Sequence, residues 1–393
     1  MMLGHDTVIG VLGAGAMGTG IAQVAAARGH RVVLGDQRAD AVAKAKQGLA
    51  KAFAREVEKG RLTHEAATRA LEGITFASGA DLTAYAACGL VIEAIIESLP
   101  AKREAFQALE AAVTPEAVLA TNTSSLSVAA IAGGCRERGR VCGVHFFNPA
   151  PVMPLVEVIP WLGTDPGILG NVQQLVSGWG KTAVIASDTP GFIVNRIARP
   201  FYGEALRIHD EGIADPATID WAMRELGGFK MGPFELMDLI GLDVNFAVTE
   251  SVFEAFFYDP RFRPSLTQRR LVEAGWLGRK TGRGFYDYAE GAVKPSPVTD
   301  HAVGERVRDR IVAMLINEAL DARYARVASA ADIERAMQQG VNYPKGLLAW
   351  CDELGAATVL ARIEALREEY AEDRYRPSIK LRQLARTGES ALA

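Results

Sequence analysis

The feature that most constrains this 393-residue chain sits close to its N-terminus. An apolar run, Val8-Ile9-Gly10-Val11-Leu12, enters Gly13-Ala14-Gly15-Ala16-Met17-Gly18, passes into a helical pattern over 18–30, and is followed by a second apolar run, 31–35, that ends at Asp36. Each piece has a physical role in a dinucleotide-binding βαβ unit. Gly13 allows the tight turn, Gly15 lets backbone approach a pyrophosphate, and Gly18 lets helix and strand pack closely. The helix N-terminus at Ala16 and Met17 presents N–H groups and the positive end of its dipole to the phosphates. Asp36 can accept from both ribose hydroxyls and repels a 2′-phosphate, so the unit reads as a site for NAD rather than NADP. Arg38 is within reach of a phosphate, but a solvated helix start is the simpler reading.

Short apolar runs alternate with longer helical patterns from Thr7 to about Ala186, the sequence image of a parallel sheet covered by helices on both faces. Strands are expected at 7–12, 31–35, 90–94, 117–121, 141–146, 155–159 and 182–186. Residues 1–187 are thus expected to form an α/β, doubly wound, Rossmann-type NAD-binding domain. Beyond Pro190 apolar residues recur at helical spacing, and a helical domain is expected over 188–290. Residues 291–304, with Pro295 and Pro297, break the pattern as a linker does. The chain then repeats itself. At an offset of 114, Ala222, Met223, Gly232, Asp238 and Gly241 match Ala336, Met337, Gly346, Asp352 and Gly355; at 113, Arg263-Pro264-Ser265 matches Arg376-Pro377-Ser378. Residues 305–393 therefore read as a second copy of the helical domain, giving two tandem all-α domains that pack on each other.

An apolar fraction of 49% and a charged fraction of 23% are those of ordinary globular domains. A net charge of −4 argues against nucleic-acid or membrane-surface partners. Cys88, Cys135, Cys142 and Cys351 show neither zinc-ligand spacing nor a disulfide framework, so no metal site is read and a reducing, cytoplasmic compartment is expected. The N-terminus lacks the basic region of a secretory or transit peptide, and no apolar run approaches the ~20 residues that span a bilayer.

Three stretches place polar groups at strand ends, where open α/β sheets put their chemistry: Thr121–Ser125, His145–Pro149 and Leu155–Ile159. His145 sits in an apolar strand end with Glu157 downstream, and reads either as a general base or as a hydrogen-bonded core histidine. His5, His30, His64, His209 and His301 read as surface residues. Taken alone, Ser124 is a turn residue, Asn195 a helix-entry residue, and Asn148, before Pro149, turn chemistry. Lys44, Lys51, Arg55, Lys59 and Arg61 form a basic cluster on a helical pattern, ordinarily a solvated face.

The ordered set GAGAMG, VIEAIIES, NTSSL, HFFNP, LVEVI, DTPGFIVNR and GRKTGRGFY, spread over the chain, resembles the L-3-hydroxyacyl-CoA dehydrogenase family in its form with a duplicated C-terminal domain. The short 3-hydroxybutyryl-CoA dehydrogenases resemble residues 1 to about 290; dehydrogenases of aromatic-acid degradation and of multifunctional fatty-acid oxidation proteins are similar through the second repeat. The resemblance implies NAD-dependent oxidation of (S)-3-hydroxyacyl-CoA to 3-oxoacyl-CoA, in fatty-acid or aromatic-acid degradation or 3-hydroxybutyryl-CoA metabolism. It implies His145 as base, Glu157 as its orienting acid, and Ser124 and Asn195 as hydrogen-bond partners of the substrate's 3-oxygen. It further implies cofactor contacts at Glu97, Lys102, Ser124, Asn148 and Lys280, a CoA contact at Lys59, and a substrate contact at Trp350, which alone reads as a core residue. Pro100 stands where many relatives carry lysine and is left outside the site; Ala52 replaces a serine seen in some relatives. Because the helical domain of the short relatives forms a two-fold dimer, the chain is expected to be either a homodimer or a monomer whose residues 305–393 occupy the partner's place, with Asn195 aligned near Asn317. Two other readings stand beside this one. A dehydrogenase of a free hydroxy acid, such as an L-gulonate dehydrogenase, would not need the basic cluster around Lys59. A non-catalytic NAD-binding or structural protein would not need Ser124, His145, Glu157 and Asn195 together.

Overall fold

The structure, a computed structural model, describes residues 3–393. It divides into two compact units, the first ending at Thr189 and the second running from Pro190 to Ala393. The first contains β1 (Ile9–Leu12), α1 (Ala16–Ala27), β2 (Val32–Asp36), α2 (Ala39–Glu58), α3 (His64–Glu72), β3 (Ile74–Ser78), β4 (Leu90–Glu93), α4 (Leu99–Ala112), β5 (Val118–Thr121), α5 (Val128–Ala132), β6 (Val141–Phe146), β7 (Leu155–Ile159), α6 (Pro166–Gly178) and β8 (Thr182–Ile185). Its sheet has the order β3-β2-β1-β4-β5-β6-β7-β8. Every neighbouring pair is parallel except β6 and β7. All residues of β1, β4, β5, β6 and β7 are buried, which is why these strands read as continuous apolar runs rather than alternating ones.

The sequence reading missed β3. Only Ile74 of its five residues is buried, because an edge strand covered on one side carries a weak apolar signature. His30 also differs from the surface residue expected. It is 5% exposed, with Nδ1 3.0 Å from the Thr7 carbonyl oxygen and its ring edge-on to Trp179, and burial holds its pKa below the ordinary histidine value. His209 is half-buried, its ring edge-on to Phe234 and Phe285.

The second unit is built twice from one plan. α7 (Val194–Ile197) leads into α8 (Arg199–Asp210), α9 (Pro216–Trp221) with a π-helical turn at Ala222–Leu226, α10 (Pro233–Ile240), α11 (Leu242–Ala255) and α12 (Leu266–Glu273). After an irregular segment come α13 (His301–Tyr324), α14 (Ala330–Gly340), α15 (Leu347–Leu354), α16 (Ala356–Tyr370) and α17 (Ile379–Thr387). α13 begins inside the stretch expected to be a linker, because Asp300 caps it by accepting from the N–H groups of Ala302 and Val303. Matching caps mark the repeat. Asp220 accepts from the Phe234 and Glu235 N–H groups at the start of α10, and Glu334, 114 residues on, accepts from Leu348 and Ala349 at the start of α15.

The two copies grip each other reciprocally. Arg196 Nε lies 2.7 Å from Glu318 Oε1; Arg310 Nε lies 2.8 Å from Glu204 Oε2. Both the arginines and the glutamates are 114 residues apart, so residue i of one copy meets residue j of the other and the reverse, as across a two-fold interface. The aromatic partners repeat as well: Arg196 lies over Phe256 and Arg310 over Tyr370. This register makes Asp309, not Asn317, the counterpart of Asn195. Asn317 instead pins the chain before α17, donating to the Arg376 carbonyl and accepting from the Ser378 N–H.

All four paired charges are buried, and removing one partner of a buried pair costs about 3–5 kcal/mol. Arg196→Met should therefore lower the stability of this unit by about 3 kcal/mol in urea titration. Arg269→Met, at an exposed pair with Glu273, should cost less than about 1 kcal/mol. Equal small losses at both would show that the crossed pairs do not hold the copies together.

Candidate active site

The glycine loop closes the gap between β1 and α1, and its three glycines serve two purposes. Gly13 has φ +108°, and a Cβ there would lie 2.5 Å from the Ala94 carbonyl oxygen; a Cβ on Gly18 would lie 1.8 Å from the Gly13 carbonyl oxygen. These two are needed by the fold. Gly15 is different, because a Cβ there would meet nothing within 4 Å. It caps α1 without a side chain, and no acid lies in the first helical turn, so the N–H groups that begin the helix at Ala16 and Met17 are left without a side-chain cap. Asp36 is tied to this loop, its two carboxylate oxygens accepting from the N–H groups of Ala14 and Arg38, each at 2.9 Å. The Arg38 guanidinium pairs with Asp40 instead of reaching the loop.

At the same sheet end, β4 finishes in Glu93, a fully buried carboxylate. It accepts from Lys102 Nζ at 2.6 Å, the Ile95 N–H at 2.7 Å and Thr121 Oγ1 at 2.8 Å. Lys102, also buried, lies 3.2 Å from Glu97. Glu97 accepts from Thr123 Oγ1, the N–H groups of Ser124 and Ser125, and Ser125 Oγ. Burial pushes the Glu97 pKa up, but Lys102 and these hydroxyl donors outweigh it and hold it below the usual carboxylate value. Lys102 thus acts through two carboxylates, and Glu97 shapes the loop that carries Ser124. Sequence reasoning assigned no role to Glu93; an acid closing an otherwise apolar strand was the available signal.

β6 and β7 run antiparallel with His145 directly opposite Glu157. His145 Nδ1 is 2.7 Å from Glu157 Oε2, and both side chains are buried. With Glu157 ionised the carboxylate only accepts, so Nδ1 carries the proton. Asn122, within the polar strand end singled out from the sequence but given no role of its own there, accepts at Oδ1 from the Phe146 N–H and ties the end of β5 to the residue after His145. Lys181 braces the β6–β7 loop, beyond the exposed Asn148, by donating to the Ala150 and Met153 carbonyls. Burial, then the charge of Arg28, brings the Lys181 pKa down to about 8. Lys59 ends α2, exposed, with Lys44, Lys51 and Arg55 exposed along the same helix.

Asn195, Lys280 and Trp350 belong to the second unit. Asn195 is half-buried on α7, Lys280 pairs with Asp243 at 2.6 Å, and Trp350 is 7% exposed. The Trp350 ring lies 6.0 Å from Phe229 and lines a cavity of about 440 Å³ with Gly227, Pro344 and Lys345.

Residues 8–189 match the family description "3-hydroxyacyl-CoA dehydrogenase, NAD binding domain", and residues 191–288 and 307–392 match its C-terminal domain. The chain belongs to the 3-hydroxyacyl-CoA dehydrogenase family. The 3-hydroxyadipyl-CoA dehydrogenase of Escherichia coli K12 is 40% identical over 470 aligned positions, covering 98% of each chain. The mitochondrial hydroxyacyl-coenzyme A dehydrogenase of Rattus norvegicus is 40% identical over 73% of this chain and 92% of its own. A crystal structure titled as 3-hydroxybutyryl-CoA dehydrogenase from E. coli K12 has a TM-score of 0.91 at 39% identity, again over 98% of each chain. The cofactor is NAD, and the uncapped helix end, the room beside Gly15 and the fixed Asp36 fit it.

The two kinds of glycine should separate on mutation. Gly15→Ala should leave thermal unfolding unchanged and weaken NADH binding about tenfold or more in a fluorescence titration, tenfold being about 1.4 kcal/mol. Gly18→Ala should instead lower the melting temperature, since its Cβ meets backbone. Normal NADH affinity in Gly15→Ala would remove the loop from the binding site.

Proposed function

We propose that this chain catalyses reversible NAD-dependent oxidation of (S)-3-hydroxyacyl-CoA to 3-oxoacyl-CoA, with His145 as the proton acceptor. The observation that carries the assignment is the buried His145–Glu157 pair, 2.7 Å apart across two antiparallel strands. Holding the proton on Nδ1 makes Nε2 the nitrogen that takes the hydroxyl proton, and the Glu157 carboxylate stabilises the imidazolium that results. NAD, when bound, supplies the hydride acceptor. Ser124 and Asn195 hydrogen-bond the 3-oxygen and polarise it for the reverse reaction. Glu97, with Lys102 behind it, holds the Ser124 loop; Asn148 and Lys280 contribute to the nicotinamide site, and Trp350 to the acyl or CoA path. The exposed basic face of α2, with Lys59, binds CoA phosphates, which favours a thioester over a free hydroxy acid.

We further propose that residues 305–393 occupy the place a second subunit takes in the short relatives. The reciprocal pairs Arg196–Glu318 and Arg310–Glu204 support this, because a shortened chain leaves Arg196 without its carboxylate. Among the described residues, no helix is long and apolar enough to cross a membrane.

The decisive assay follows NADH oxidation at 340 nm with acetoacetyl-CoA and, separately, free acetoacetate. Turnover is expected with the thioester alone, and His145→Gln should reduce it on the order of 10²–10⁴-fold with unchanged NADH affinity. Undiminished turnover in His145→Gln would reject the mechanism. Truncation after residue 290 should give a dimer or an aggregate by light scattering; a soluble, fully active monomer would reject the partner-replacement reading.

A further inference from the structure

The second unit buries one arginine differently from the rest. Arg196, Arg310 and Arg374 each pair with a carboxylate. Arg199 is equally buried, at 6% exposure, yet among the described residues no carboxylate pairs with it. Its Nε donates to the Asn195 carbonyl at 2.8 Å, and its Nη1 to Thr249 Oγ1 and the Asn245 carbonyl. A guanidinium stays charged when buried, and the desolvation cost of several kcal/mol calls for an anion.

Two buried tyrosines accompany it. The Arg199 guanidinium lies 5.1 Å from the centre of the Tyr202 ring. Tyr343, contributed by the other helical copy, is 5% exposed, and its hydroxyl has no hydrogen-bond partner; its ring lies 5.9 Å from that of Phe201, the neighbour of Tyr202 in the chain, and burial raises its pKa while the Arg199 charge opposes the rise. A buried hydroxyl left unpaired is costly and uncommon. The repeat shows that the fold does not require this cluster. At the corresponding offset of 114, Arg199 and Tyr202 become Ala313 and Ile316, and Tyr343 corresponds to Phe229. The structural arginines recur in both copies, whereas this polar set, drawn from both, is apolar at the equivalent positions.

We propose that Arg199, with the Tyr202 and Tyr343 hydroxyls, recognises a carboxylate at the far end of the acyl chain, so that dicarboxylic 3-hydroxyacyl-CoA thioesters are preferred. The inference rests on the reading of Asn195 as the 3-oxygen contact under the proposed function. Because the Arg199 Nε donates to the Asn195 carbonyl at 2.8 Å, its guanidinium lies beside the residue read as the 3-oxygen contact, and only three carbon–carbon bonds separate C3 from the terminal carboxyl of a six-carbon acyl group. The two tyrosine hydroxyls supply neutral donors to the same anion.

The test compares kcat/KM for 3-hydroxyadipyl-CoA and 3-hydroxyhexanoyl-CoA, which differ only in that carboxylate. The natural chain should favour the dicarboxylic thioester. Arg199→Met should reduce the ratio about 100-fold or more. Tyr343→Phe removes a hydroxyl that satisfies nothing in the fold, so it should fold normally and reduce the ratio about tenfold, chiefly through KM. A ratio near one in the natural chain, or an unchanged ratio in Tyr343→Phe, overturns the inference while leaving the dehydrogenase reading intact. If neither thioester reacts although NADH binds, it is the proposed function that fails.

Discussion

A charge taken out of water must meet an opposite charge or a set of aimed hydrogen bonds, and that requirement organises both units of this protein. In the first, Glu93 meets Lys102 and Glu157 meets His145. In the second, Glu318 and Glu204 meet Arg196 and Arg310. Pairs of this kind add little net stability compared with apolar side chains of the same size, but losing one member is severe. They therefore act as registers, fixing which strand end or helix face lies against which.

The consequence for chemistry is clearest at the β6–β7 reversal. In a fully parallel sheet the residues of these strands would be joined by a long crossover. Reversing β7 brings Glu157 directly opposite His145, and the imidazole gains an orientation before any ligand arrives. The carboxyl ends of β1, β4, β5 and β6 lie at the same edge of the sheet, so the glycine loop, the Glu97 loop and His145 share one rim. Glu97 and Asn122 then hold that rim through backbone N–H groups rather than by packing.

Duplication of the helical domain gives an internal control that single-copy proteins lack. What both copies retain, such as the acid cap on α10 and α15 and the crossed arginine–glutamate pairs, is what the fold needs. What only one copy retains is free to be functional. Asn195 corresponds to Asp309 in the repeat, and Arg199 to Ala313, so the two copies have parted where chemistry is proposed and stayed alike where packing demands it.

The nucleotide unit was legible in the sequence because its constraints are local: a turn that excludes Cβ, a helix end, and an acid one strand later all fall within a short stretch of chain. The strands of the sheet centre and the duplication were legible for a related reason, since continuous burial and copied turns leave a pattern in composition. The edge strand β3 left almost none, and His30 differs from its expected surface position because it packs against groups distant in the chain, among them Trp179 and the Thr7 carbonyl. Sequence by itself determined the cofactor fold, the tandem helical plan and the candidate base and acid. Tertiary structure decided that His145 and Glu157 face each other, that Asp309 is the counterpart of Asn195, and that Arg199 is buried without a carboxylate. Each of these depends on which distant groups end up sharing a low-dielectric interior, and no local pattern of residues encodes that.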